Sequence, residues 1–316
     1  MIQTNQRAWE LFNLADLAAA ELGWEAYQPP CGTRVIDAGI HAPAGLQAGL
    51  RMAEISTADL TRARLSLRSL GATPWPHVEI YSDHPLLGCF LCQSANWSID
   101  LPGFRGMGSG PACLLANPQI GQAFGHQEEP DYAVLVIETD TLPDEAACQA
   151  LAQGCGVPSE CLGILVAPTS SLAGSVQIAA RSIETALHKL HHLGFDLRRI
   201  VSATGLCPLA PPTGDNWLSL GKTNDAMTFG SQVWLAVNGV RDSQLESQVQ
   251  QIPACASPVY GQTFLEILAE ANDFYAVDPG IFAPAEVVVT NLDTGSSFHA
   301  GTRDEPRLVQ ALRGSR

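Results

Sequence analysis

Arg181 and Glu184 are the residues of this sequence whose types and spacing most directly suggest catalysis. Three apart on a predicted helix from Ser175 to Leu193, they share one face. On a solvated face such a pair is an ordinary ion pair, contributing roughly 0.2–0.5 kcal/mol. Here the residues just before it, Val176 to Ala180, are nearly all apolar or small, so this part of the helix is expected to be buried. A carboxylate and a guanidinium taken out of water need partners and a reason to be there. A buried carboxylate can deprotonate a water, and a guanidinium beside it can fix the carboxylate or meet a developing oxyanion.

Three other stretches are polar or glycine-rich where a plain core would not be. Gly106-Met107-Gly108-Ser109-Gly110-Pro111 is expected to form a tight turn before a helix that starts at Pro111, presenting backbone N–H groups to an anion. It is not a dinucleotide fingerprint, because the third glycine comes too early, and no Gly-Lys-Ser/Thr closes it as a P-loop. Thr204 to Pro212 is expected to be a rigid loop, and Gly221-Lys222-Thr223-Asn224-Asp225 a turn before the strand-like run Ala226 to Phe229. Loops carrying hydroxyl, amide and carboxylate groups can orient a polar ligand, although turn chemistry and capping use the same residues.

The remaining chemistry-bearing types point to packing. Cys89-x-x-Cys92 sits in and beside an apolar run, with no second such pair to complete a zinc site. His188, His191 and His192 close the predicted helix, where imidazolium complements the helix dipole. No metal site is expected.

The elements that position these groups alternate between helix and strand. Met1 to Gly23 is expected to be an amphipathic helix, Thr33 to Ile40 a buried strand, and Pro43 to Ile55 a helix. Arg64 to Leu70 and His77 to Ser82 read as strands, and Pro85 to Trp97 as a core helix. Tyr132 to Thr139 and Leu162 to Ala167 read as fully buried strands flanking a helix from Pro143 to Gly154, whose first turn holds Asp144 and Glu145. The helix carrying Arg181 and Glu184 ends at Gly194. Val233 to Val237 and Ala285 to Asn291 are strands, with a hairpin turn at Asp293 to Gly295, and Gly261 to Glu270 is a helix. The class is therefore mixed α and β (α+β). With no flexible linker in view, a domain boundary falls near Gln127 to Pro130, giving 1–128 and 129–316. The units after Gly108 and Gly174 look loosely alike, which hints at internal duplication.

Bulk properties exclude several functions. A chain of 316 residues, 46% hydrophobic and 16% charged, buries a substantial core. A net charge of −15 disfavours nucleic acid and anionic membranes as partners. Nine cysteines without scaffold spacing, no secretory signal and no long apolar run imply a soluble, reduced, cytoplasmic protein.

Several of these segments occur together in one order. They are Val35-Ile36-Asp37-Ala38-Gly39, Gly108-Ser109-Gly110-Pro111, Ala167-Pro168-Thr169, Gly174-Ser175, Ala180-Arg181-x-x-Glu184, Thr223-Asn224-Asp225, Asp273-Phe274-Tyr275 and Phe282-x-Pro284-Ala285. The ordered set, covering about Gly32 to Gly301, resembles the methenyl-tetrahydromethanopterin cyclohydrolases. Leu187-His188-Lys189 and Gly194-Phe195-Asp196-Leu197 look more like the family's bacterial, methylotroph-type branch. Two positions depart from the pattern: Ser94 stands where archaeal members tend to carry Lys, and Cys207 where Ala is usual.

The resemblance implies two mixed α/β domains with a ligand pocket between them, a homotrimer, a tetrahydromethanopterin derivative as substrate, and neither metal nor redox cofactor. It implies that Arg181 and Glu184 are catalytic. Contacts to the substrate are expected from Gly108, Ser109, Gly110, Ser175, Gln177, Thr204, Thr223, Asn224 and Asp225, with Asp225 pairing with the guanidine-like edge of the pterin. The implied reaction hydrolyses the 5,10-methenyl compound to N5-formyl. A cyclohydrolase acting on a folate, or a catalytically silent pterin-binding protein, are the alternatives; retention of both Arg181 and Glu184 argues against the second.

Overall fold

The computed structural model describes residues 2–94, 97–271 and 276–313; the Asp273-Phe274-Tyr275 motif lies outside the described residues. Twelve strands are described, beginning with β1 Glu25–Tyr27, β2 Arg34–Asp37, β3 Arg62–Leu70, β4 Thr73–Ser82, β5 Trp97–Leu101 and β6 Phe104–Ser109. They continue with β7 Ala133–Glu138, β8 Leu162–Ala167, β9 Ile200–Pro208, β10 Gln232–Val237, β11 Glu286–Asn291 and β12 Ser297–Gly301. The chain divides into two units that interleave: Met1–Arg62 with Leu87–Gln177, and Ala63–Leu86 with Ile178–Arg316. Residues 127–130, where the sequence suggests a boundary, lie inside the first unit. Each unit holds one six-stranded mixed sheet together with helices, so the fold is α+β.

The first sheet runs β1-β2-β8-β7-β6-β5. Its centre, β2, β8 and β7, is parallel. A parallel sheet packed on both faces needs apolar side chains at successive positions rather than alternate ones. Ala133 to Ile137 and Leu162 to Ala167 meet that need, and all are buried. The helices Thr4–Leu17 and Leu46–Ser56 contribute Trp9, Phe12, Met52 and Ile55 to this core. The crossover helix Glu145–Cys155 starts two residues later than expected, because Asp144 is its N-cap, the carboxylate accepting the Ala147 N–H at 2.8 Å.

The expected glycine turn is instead a strand. Gly106 and Gly108 lie in β6, and only Gly110, at φ 96°, turns the chain. The cause is packing: a Cβ on Gly106 would fall 2.5 Å from Ile137 Cγ2, and one on Gly108 3.2 Å from Trp97 Cβ. Pro111 is not the first residue of the next helix, which is Cys113–Ala116. The Pro85 to Trp97 helix shortens to a π-helical turn, Leu86–Leu91, followed by Cys92–Ser94, and Trp97 opens β5.

The second sheet runs β12-β11-β10-β9-β4-β3, with β10 and β11 parallel and β9 antiparallel to both β10 and β4. One row, Ile80, Gly205, Val233 and Val287, is in register on a buried face. The next, Tyr81, Thr204, Trp234 and Val288, points the other way. In one unit β6, β7 and β8, and in the other β9, β10 and β11, repeat a single pairing order: antiparallel, then parallel with an intervening helix. The likeness around Gly108 and Gly174 is not part of this repeat, because Gly174 lies inside the helix Leu172–Ala179.

Two further expectations change here. Thr204 to Pro208 belongs to β9, so only the end of that stretch is loop. Gly221 to Asp225, with the run to Phe229, belongs to the helix Asn216–Gly230, capped by the Asp215 side chain. Its polar residues are satisfied locally: Thr223 Oγ donates to the Ser219 and Leu220 carbonyls, and Asn224 Nδ2 to Leu220 O.

Asp225, 5% exposed, accepts the Phe264 N–H at 2.7 Å and so caps the helix Phe264–Ala271. Burial pushes its carboxyl up from 3.8 to about 7, the Phe264 N–H opposes this, and Glu266 adds repulsion. A raised folded-state value means stability present below pH 3.8 that is lost as pH rises through about 7. Asp225→Asn keeps the acceptor and removes the titration. The variant should gain on the order of a few kcal/mol over the parent in mildly alkaline buffer and lose that advantage in acid. Urea unfolding across that range checks it; parallel pH profiles for the two proteins would refute it.

Candidate active site

Arg181 and Glu184 lie in the second unit, at the start of the helix Ser182–His192. The sequence predicts one helix through this region; there are two, Leu172–Ala179 and Ser182–His192. Between them Arg181 adopts φ −87°, ψ 10°, its N–H donating to Ile178 O and its carbonyl accepting the Thr185 N–H. The break has no Gly or Pro to announce it. It makes Arg181 the N-cap residue and puts Glu184 in the first turn, where the helix dipole favours a carboxylate.

The pair is formed and nearly buried. Arg181 Nε donates to Glu184 Oε2 at 2.9 Å, and the two side chains are 18% and 11% exposed. A carboxylate offers about four lone-pair sites, of which this contact takes one. The remainder of the helix is held against the second sheet by Ile183, Ala186, Leu187 and Leu190.

Lys189 is a group the sequence analysis missed, since it occupies a position of the apolar face. It is buried, and Nζ donates to Gly280 O at 3.2 Å. Burial pulls its pKa down while nearby Asp278 opposes this. Asp278 in turn accepts the Ser257 hydroxyl at 2.5 Å and the Gly280 N–H at 3.1 Å. These contacts tie the helix to the segment that leads to Phe282-x-Pro284-Ala285.

The other expected site residues are distributed as follows. Ser175 and Gln177 are nearly buried on Leu172–Ala179. Thr204 points to the sheet face opposite Gly205 and donates to Ile80 O at 3.1 Å. Ser109 donates to Val136 O at 3.3 Å. Thr223, Asn224 and Asp225 are engaged within their own unit as described above. Among the described residues, no group of three or more His, Cys, Asp or Glu is placed to hold a metal ion, and no helix is long and apolar enough to cross a membrane. Cys89 and Cys92 are buried and form no disulfide.

The Cyclohydrolase (MCH) family model matches residues 3–312. Curated relatives named methenyltetrahydromethanopterin cyclohydrolase align over most of the chain. The relative from Methanospirillum hungatei is 35% identical, over 95% of this chain and 96% of its own length. That from Methanocella arvoryzae is 41% identical over 84% of both chains. That from Methylobacillus flagellatus is 39% identical over 90% of this chain and 87% of its own. With near-complete coverage at these identities, the chain belongs to the Cyclohydrolase (MCH) family.

Proposed function

We propose that this protein hydrolyses 5,10-methenyltetrahydromethanopterin to the N5-formyl compound, with Glu184 and Arg181 as its catalytic residues. The observation that carries this reading is the nearly buried ion pair at 2.9 Å, in a chain similar over almost its whole length to cyclohydrolases.

The substrate's N5–CH=N10 unit is an amidinium whose carbon is electrophilic because both nitrogens share the charge. Glu184 holds a water and takes its proton as the oxygen bonds to that carbon. The adduct is neutral at both nitrogens. The carbon–N10 bond then breaks, N10 takes a proton, and the oxygen becomes the formyl carbonyl; one proton is released overall. Arg181 fixes the carboxylate through Nε and supplies a guanidinium that can stabilise the oxygen as it develops charge. Ser175 and Gln177 are proposed as substrate contacts. For Thr204, Thr223, Asn224 and Ser109, the hydroxyl or amide donors already serve main-chain carbonyls, which leaves only their other atoms for such a role.

The test is spectrophotometric. Purified protein is mixed with methenyltetrahydromethanopterin, and separately with methenyltetrahydrofolate, and loss of amidinium absorbance is followed. Fast loss with the methanopterin substrate alone is expected. No loss with either, from folded protein, would overturn the reading, and preference for the folate would overturn the substrate.

A further inference from the structure

Ser182 sits between the two residues of the pair, fully buried, and its Oγ has no hydrogen-bond partner among the described residues. A buried hydroxyl left unpaired costs about 1–3 kcal/mol, so its position calls for an explanation. The explanation lies on β9. Gly205 occupies the buried row between Ile80 and Val233, both of which bear side chains. A Cβ on Gly205 would fall 2.3 Å from Ser182 Oγ and 3.2 Å from both Ser182 Cβ and Ile183 Cγ1. The first residue of the helix Ser182–His192 therefore rests directly on the main chain of the sheet, in the gap that the missing side chain leaves.

We infer that Gly205 is a positioning residue for hydrolysis: the seat it gives Ser182 sets the height of the helix's first turn, and with it the reach of the Glu184 carboxylate. The inference rests on Glu184 being the base. Ser182 is the first helical residue and Glu184 the third, so lifting the one moves the other. A misplacement of about 1 Å at a reacting group can cost about 10²-fold in rate.

The experiment is a set of variants assayed for kcat and KM. Gly205→Ala should lower kcat by roughly 10- to 100-fold with KM little changed. Ser182→Ala should leave kcat near the parent value, and Ser182→Ala with Gly205→Ala should recover most of the loss, because the 2.3 Å contact is gone. In a Glu184→Gln background, Gly205→Ala should cost nothing further, which a general loss of structure would not reproduce. If Gly205→Ala does not fold, Ser182→Thr, which enlarges the other partner, reads the same contact. A folded Gly205→Ala enzyme with parental kcat, or one that Ser182→Ala does not rescue, would overturn the inference. A fully active Glu184→Gln enzyme would instead overturn the assignment of the base on which it rests.

Discussion

Glu184→Gln is expected to lower kcat by about 10²- to 10⁴-fold, the usual contribution of a general base, with substrate affinity largely retained. Glutamine keeps the size of the side chain and can still accept from Arg181 Nε through its amide oxygen. What it loses is basicity, so water attacks the methenyl carbon without a proton acceptor. The change also removes the Glu184 charge from beside the Arg181 guanidinium, which is 18% exposed. A modest fall in Tm is therefore expected as well, and the assay needs a folding control by circular dichroism. Glu184→Asp separates the two effects: it keeps charge and basicity but draws the carboxylate back by one methylene. Its kcat should lie between those of the parent and the Gln variant. A Glu184→Gln enzyme with near-parental kcat would remove Glu184 from the mechanism.

Much of the scaffold was legible because local and tertiary requirements agree. Ala133 to Ile137 reads as a strand buried on both faces because the parallel centre of the first sheet is covered on both. Gly194 ends its helix at φ 75° for a purely local reason, whereas the single helix expected from Met1 to Gly23 is two, Thr4–Leu17 and Ala19–Leu22, the second ended by Gly23 at φ 67°. The failures share the opposite cause. Gly106 and Gly108 look like turn glycines, but are needed for close approach by Trp97 and Ile137, contacts made by other strands. Thr223 and Asp225 look like turn residues, but one bonds back to its own helix and the other caps a helix 39 residues later. The break at Arg181 has no local marker: neither Gly nor Pro stands there, and the strand that its helix packs on, β9, begins almost twenty residues later. Interleaving is invisible for the same reason: β3 and β4 join a sheet whose other strands all follow residue 199. The pair itself was legible in two ways, through the apolar run that precedes it and through the resemblance carried by the ordered motifs.

Glu128→Ala should destabilise the protein by about 3 kcal/mol, although the helix it caps lies more than a hundred residues earlier in the sequence. The helix Thr4–Leu17 has Gln3 at its N-cap, and Gln3 makes no capping bond. Its first N–H groups are satisfied by Glu128: Oε2 accepts the Thr4 N–H at 2.7 Å and Oε1 the Asn5 N–H at 3.2 Å. Oε1 also accepts the Thr4 hydroxyl and, at 2.7 Å, the Asn5 amide. Asn5 extends the connection by donating to Pro111 O and accepting the Val134 N–H at the start of β7. One carboxylate thus caps the helix that delivers Trp9 and Phe12 to the first core, and Ala would leave several buried donors unpaired at once. The acid limb of stability follows from the same geometry. Burial alone would push the Glu128 carboxyl up, but nearby His126, with Nε2 4.0 Å away, and the donors on Thr4 and Asn5 outweigh it and hold it below 4.5. A depressed folded-state value gives stability that is present above 4.5 and lost as pH falls through the folded value. The parent should therefore lose stability in acid more steeply than Glu128→Ala, and the two urea midpoints should converge there after differing near neutrality. Amide exchange should locate the damage, with protection lost first at the start of Thr4–Leu17. Equal midpoints at neutral pH would mean that the helix is held by its apolar face alone.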